Sequence, residues 1–292
     1  MEKFIGDIFP YREVYRIQSD HQAIQVMEDE LTHDLALFLD GRCQFHAGDS
    51  YIYNECMGVL PSLYCKENPV RALILGGGDG LIAEELVGIG VKDITLVDID
   101  PEVIRVSLEY FNSKVLLSDE VNIYYRDAFE FVKKSSGPYD LIILDYTDPL
   151  SNFYCQRLFT VEHLKDIKRL LKSTGALSIQ VVAPALNPIA FWCMVKTMGE
   201  AFPAANITPL RFYHYRMCAQ QGAIILSKSG KIVREIPESC KFLSNSSLLS
   251  ITSLCKDEYD LEIIDYIPIS TVDNLSYFST IGIPYSRFSK SE

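Results

Sequence analysis

Five aspartates stand inside a glycine loop or directly after strand-like runs. They are Asp79 in GGGDG, Asp98 in LVDID, Asp127 in YYRDAFEF, and Asp145 and Asp148 in LIILDYTDPL. The last pair is the most informative. Leu141–Leu144 is wholly apolar and reads as a buried strand, so Asp145 emerges at its end. Pro149 stiffens the turn and presents Asp148 on the same side. Two nearby carboxylates suit a diamine, one holding a distal ammonium and the other taking a proton from the attacking amine. Crowding also raises their proton affinity, as a base working near neutrality requires. An Asx-turn and a helix cap would account for either residue alone, and would make the pairing a coincidence.

The stretch that must position these acids is Arg71–Asp100: a strand (Ala72–Leu75), a glycine loop (Gly76–Gly80), a helix (Leu81–Val87) and a second strand (Ile94–Val97). This is half of a nucleotide-binding βαβ unit, in which glycines bring backbone N–H groups close to a ligand. Leu81 stands where a dinucleotide fingerprint has its third glycine. Ile74 stands where S-adenosylmethionine methyltransferases usually carry an acid. The acid lies in the loop instead, as Asp79, where it attracts a cationic tail and repels an anionic one. Asp98 is placed to accept both ribose hydroxyls, while Asp100 fits the N-cap of the next helix. Asp127 fits either an adenine amino group or the N-cap of Ala128–Lys133, and one residue can do both.

From Arg71 onward strands and helices alternate. Strands are expected at Val121–Tyr125, Leu141–Leu144 and Leu177–Val181, and helices at Pro101–Tyr110, Ala128–Lys133, Val161–Leu171 and Pro188–Ala201. A hairpin over Ile207–Tyr215 and Gly222–Ser227 closes the series. The expected fold is α/β: a doubly wound, mostly parallel, Rossmann-like sheet with its ligand beyond the carboxyl ends of the strands. Ahead of it, Tyr15–Tyr53 alternates apolar and polar residues between turn signals, predicting a small antiparallel β domain. The expected division is residues 1–64 and 65–292. Gln44 and Tyr53, with Glu55, come from this first part and either end a strand or wall the cleft from above. The serine-rich 229–257 has no clear pattern.

The 292 residues are 48% hydrophobic and 23% charged, as in globular proteins. The net charge of −12 argues against a nucleic-acid surface. No apolar run nears a membrane-spanning length, and the first residues lack a secretory h-region. Eight scattered cysteines without a CxxC pair read as reduced thiols, so a cytoplasmic location is expected and neither metal nor disulfide framework is.

In chain order, Gln22, LDGxxQ (39–44), YxE (53–55), GGGDG (76–80), VDID (97–100), DA (127–128), DxxDP (145–149), LF (158–159), Gln180 and GxxxxSK (222–228) resemble the spermidine synthase family of polyamine aminopropyltransferases. The resemblance spans roughly residues 15–228. It implies transfer of an aminopropyl group from decarboxylated S-adenosylmethionine, a co-substrate, to an amine acceptor such as putrescine, with no prosthetic group and no metal. It implies that Gln44, Gly76, Gly78, Asp79, Asp98, Asp127 and Ala128 hold the donor. Asp145 would be the base, and Tyr53, Asp148 and Gln180 would bind the acceptor. A homodimer or homotetramer is also implied.

Departures cluster on the acceptor side. The segment after DxxDP reads LSNFYCQRLF, and PLRFYHYRMCAQQ replaces the family's PxYPxG segment, putting Arg216 where a tyrosine aligns. YxE reads Tyr53-Asn54-Glu55, Leu81 replaces a glycine, and Asp98 replaces the usual glutamate. An arginine there disfavours a simple diamine and welcomes a carboxylate, so an acceptor other than putrescine is expected. The competing readings are an S-adenosylmethionine-dependent methyl or alkyl transferase, and a non-catalytic nucleoside- or polyamine-binding homologue.

Overall fold

The structure, a computed structural model, describes residues 10–147, 153–254, 264 and 266–277. It opens with β1 (Tyr11–Gln18), β2 (Ala23–Asp29), β3 (Leu35–Leu39) and β4 (Arg42–His46), an antiparallel sheet in sequential order. Its buried side chains, among them Ile24, Val26, Leu37 and Phe45, meet Val103 and Val106 of a helix of the main layer. One apolar face is thereby covered.

Helix α1 begins at Ser50–Asn54, widens into a π-helical turn over Glu55–Val59 and closes with Leu60–Ser62. Tyr51-Ile52-Tyr53, expected to end a strand, therefore lies in a helix. Ile52, Cys56, Val59, Leu60 and Leu63 are all buried at helical spacing, and that longer period prevails over a short local alternation.

The main sheet follows: β5 (Arg71–Gly76), α2 (Leu81–Gly88), β6 (Asp93–Asp98), α3 (Pro101–Tyr110), β7 (Val121–Tyr125), α4 (Ala128–Lys134), β8 (Tyr139–Asp145), α5 (Val161–Lys168), β9 (Leu171–Val181), α6 (Pro188–Ala201), β10 (Asn206–His214) and β11 (Ala219–Ser227). The strand order is β10-β11-β9-β8-β5-β6-β7. Strands β5 to β9 are parallel, and β11 and β10 add as an antiparallel edge. Ile74 and Ile143 face α1 and α2, whereas Leu75 and Leu144 face α5 and α6, which is why these strands read as unbroken apolar runs.

Helix starts follow their caps. Asp100 accepts from the Glu102 N–H at 3.0 Å ahead of Pro101, and Asn187 accepts from the Ala190 N–H at 2.9 Å ahead of Pro188. In the unpatterned 229–257 region, Ser244 and Ser247 form a capping box that starts α7 (Asn245–Thr252). Helix α5 ends at Lys168 and β9 begins at Leu171, so the helix expected to run through Leu171 is shorter.

Candidate active site

Chain order reverses between β5 and β8, since β6 and β7 extend one side of the sheet and β8 and β9 the other. Such a switch point leaves a crevice beyond the strand ends. Gly76, the last residue of β5, pairs with Asp145, the last of β8. A Cβ on Gly76 would lie 1.9 Å from the Asp145 carbonyl oxygen, and one on Gly78 would lie 2.6 Å from Asp98 Oδ2. The glycines are needed because the loop lies directly against the two carboxylate-bearing strand ends. Gly78 N–H in turn donates to Asp98 Oδ2 at 2.9 Å.

Above this point lies a cavity of about 370 Å³, a volume suited to a small-molecule ligand. Gly76, Gly78, Asp79, Asp98, Asp127 and Ala128 line one part of it. Gln44 joins them from β4, Tyr53 from α1, Asp145 from β8 and Gln180 from β9. The residues expected to hold donor and acceptor, Asp148 apart, meet in one cavity. Asp148 lies outside the described residues.

Asp145 and Asp79 set the electrostatics. Both keep some surface toward the cavity but sit deep among protein atoms. Loss of hydration pushes Asp145 up to about 7, and the Asp79 charge adds to this; a hydrogen bond from Tyr53 opposes it. Loss of hydration likewise raises Asp79 to about 6, against a 2.8 Å hydrogen bond from the Leu81 N–H and with the Asp98 charge adding to the rise. Among the described residues, neither carboxylate is paired with a lysine or arginine. Asp98 is also raised by burial, partly offset by the Asp100 and Gly78 N–H groups on its two oxygens.

The Tyr53 hydroxyl donates to Asp145 and lies 2.7 Å from Gln180 Oε1. It has one proton for two neighbours. When Asp145 is ionised the hydroxyl serves Asp145, and the Gln180 amide must turn its NH₂ to the phenol oxygen. When Asp145 is protonated the hydroxyl is free to donate to Gln180. The triad therefore couples the Gln180 side of the cavity to the protonation of Asp145. Burial and Asp145 hold the Tyr53 phenol well above its ordinary value, so it stays neutral.

Two sequence-based placements are corrected. Glu55 does not wall the cleft: it is 1% exposed and points the other way, accepting from the backbone N–H groups of Lys241, Phe242 and Leu243 at 2.7, 3.0 and 2.8 Å. The π-turn beginning at Glu55 separates its direction from that of Tyr53. Arg216 does not line the cavity. It sits exposed in the β10–β11 turn, its backbone N–H donating to Asp49 Oδ2 at 2.7 Å. The expectation of a carboxylate-bearing acceptor thus loses its support.

His214, Met217, Gln220 and Gln221 occupy that side instead, and sequence reasoning missed them. His214 is 4% exposed, its ring 6.2 Å from that of Tyr53, and burial lowers its pKa so that it is neutral. The period-2 pattern of β10 would have found it: Leu210, Phe212 and His214 share the buried face, while Tyr213 is exposed.

Among the described residues no cluster of three or more His, Cys, Asp or Glu is placed to hold a metal, and no helix is long and apolar enough to cross a membrane. No disulfide joins the seven described cysteines to one another.

The family model for the spermine/spermidine synthase domain matches residues 50–234. A polyamine aminopropyltransferase of Oceanobacillus iheyensis is 31% identical over 254 residues, covering 84% of this chain and 48% of the relative. Another, of Thermoplasma volcanium, is 33% identical over 195 residues, covering 65% of this chain and 70% of the relative. The chain spans about half the length of the first of these. The crystal structure of spermidine synthase from Thermotoga maritima superposes with a TM-score of 0.72 at 22% identity, over 84% of this chain and 85% of that one. A spermidine synthase in complex with the transition-state analogue AdoDATO gives 0.66 at 20% identity, over 94% and 87%. These two likenesses concern the fold. With the match over residues 50–234 and the identity to the Thermoplasma protein, the chain belongs to the spermine/spermidine synthase family.

Proposed function

We propose that the protein moves an aminopropyl group from decarboxylated S-adenosylmethionine to an amine, releasing methylthioadenosine. The observation that carries this is the adjacent pair Asp79 and Asp145, both raised and neither matched by a protein cation among the described residues. A site of that kind attracts ammonium groups, and a donor without a carboxylate supplies one. Asp79 holds that ammonium, Asp98 the ribose, and Asp127 with Ala128 the base. Gly76 and Gly78 admit the close approach, and Gln44 closes the donor from β4.

The acceptor nitrogen attacks the carbon bonded to the sulfonium. The new C–N bond forms as the C–S bond breaks, and the electron pair of that bond stays on sulfur as a neutral thioether. Asp145 takes the proton that the nitrogen sheds. Sulfonium is already an activated leaving group, so the step asks for no further electrophile. Tyr53 and Gln180 orient the acceptor, and we assign Asp148 to its distal end from the sequence. The wall of Gln180, His214, Gln220 and Gln221 is neutral and offers hydrogen-bonding groups to an amine acceptor, putrescine or a variant of it.

The chain is further read as a cytoplasmic homo-oligomer. The described cysteines, not bridged to one another, support the first part of that reading, and the family resemblance the second.

The test is calorimetric binding of decarboxylated S-adenosylmethionine beside S-adenosylmethionine, followed by mass spectrometry of the protein with donor and a panel of amines. Selective binding of the decarboxylated donor and a product heavier by one aminopropyl unit are expected. Preference for the intact donor would point to methyl or alkyl transfer, and binding without product to a non-catalytic role.

A further inference from the structure

Asp127 is engaged on both oxygens before any ligand arrives. Oδ1 accepts from the Glu130 N–H at 3.1 Å and so caps α4. Oδ2 accepts from an Arg157 guanidinium nitrogen at 2.6 Å. The guanidinium carbon lies 4.5 Å from the centroid of the Phe129 ring. That ring stacks in turn on the buried His163, centroids 5.3 Å apart and planes at 24°. Arg157 is therefore seated between a carboxylate and an aromatic ring, and its side chain is only 33% exposed.

The residue comes from the helical turn Phe153–Phe159, which also hands Cys155, Leu158 and Phe159 to the cavity. Arg157 is not itself a cavity wall. Its link to the cavity lining is the hydrogen bond to Asp127.

A cap bond alone restrains one carboxylate oxygen and leaves the group able to swing. A second partner on the other oxygen fixes the carboxylate plane, and arginine's rigid fork suits this better than a lysine's point charge. A carboxylate has roughly four acceptor positions, so both oxygens keep capacity toward the cavity.

We propose that Arg157 is a positioning residue for the base of the donor. It holds Asp127 so that its remaining lone pairs meet an exocyclic amino group, and it ties the 153–159 turn to the base pocket. The proposal rests on the reading of Asp127 as the base-holding acid. Its ligand class is a purine nucleoside with a 6-amino group. A 6-keto purine would set oxygen against oxygen.

The test is a cycle of protein and ligand changes on the full chain. Methylthioadenosine and its analogue lacking the 6-amino group are titrated calorimetrically into the wild type, Arg157→Ala and Arg157→Lys. Loss of one oriented, charge-assisted contact predicts that Arg157→Ala binds methylthioadenosine about tenfold more weakly, and the analogue less than about twofold more weakly. Arg157→Lys should recover part of the difference, and in turnover the donor KM should rise with little change in kcat. Equal losses for both ligands, or no loss for either, would overturn the proposal. If Arg157→Ala does not fold, Arg157→Lys decides by the same comparison. A wild type that binds both ligands equally would overturn the reading of Asp127, and the proposal with it. A wild type that binds neither would overturn aminopropyl transfer itself.

Discussion

An amine nucleophile is protonated in neutral water, so the base that frees it must be ionised there and still take up a proton readily. Asp145 is brought into that range mainly by burial and then by the charge of Asp79. In the free enzyme kcat/KM is expected to rise as the pH climbs toward about 7 and to flatten above it, because only the ionised carboxylate takes a proton. Asp79→Asn removes a neighbouring negative charge. The rising limb of the pH–rate profile should then move to lower pH while the donor KM increases. A limb that stays in place would show that Asp79 does not act on Asp145. Asp145→Asn should keep methylthioadenosine binding within about threefold and lose transfer by about a thousandfold or more, read by titration and by product formation. The same variant carries a stability signature. The folded pKa of Asp145 lies above its ordinary value of 3.8, so between those values the folded protein binds more protons than the unfolded chain, and stability falls as pH rises through that window. Asp145→Asn should therefore melt several degrees above the wild type at pH 8 and much closer to it at pH 4.

Elements decide how near these groups come. The end of β5 is possible only as glycine, since Gly76 has φ 88° and its missing side chain leaves room for the Asp145 carbonyl. Gly76→Ala is expected to cost at least about 2 kcal/mol in chemical denaturation and to depress transfer more than nucleoside binding, because it displaces β8 first. Much of this was legible beforehand. Val121–Tyr125, Pro101–Tyr110 and Pro188–Ala201 were readable to the residue, since caps, prolines and unbroken apolar runs are local signals. The carboxylates assigned above to the donor were legible for the same reason: Asp98 and Asp127 come at strand ends, and Asp79 lies in the glycine loop after a strand. Other features were hidden because their cause lies far along the chain. Arg216 aligned with a binding residue, yet the β10–β11 turn turns it outward. Arg157 gave no signal, because its partner is 30 residues earlier and joins it only across two packed elements. Glu55 looked like part of a cleft motif because the N–H groups it receives follow nearly 190 residues later.

The two sheets of the whole molecule are joined at Asp100, which is fully buried. Its Oδ1 caps α3 while its Oδ2 accepts from Ser19 Oγ at 2.6 Å and Gln22 Nε2 at 3.0 Å, pinning the β1–β2 turn to the main layer. Its own backbone N–H steadies Asp98 at 2.9 Å. Asp100→Ala removes a cap and deprives two half-buried donors, Ser19 and Gln22, of their partner, a loss of about 2 kcal/mol by denaturation. On the proposed reading of Asp98 the donor KM should suffer more than kcat, because Asp98 and Gln22 both line the cavity. The Glu55 anchor has a different reach. The family match ends at residue 234, but Glu55 receives three N–H groups from 241–243, just beyond it. A chain trimmed to the matched region would keep Tyr53, Asp79, Asp98, Asp127 and Asp145 and still leave Glu55, two residues from Tyr53, with nothing to hold. The unit that holds this site together thus extends past the segment the family model matches, and recombination with relatives should place its joints after 243.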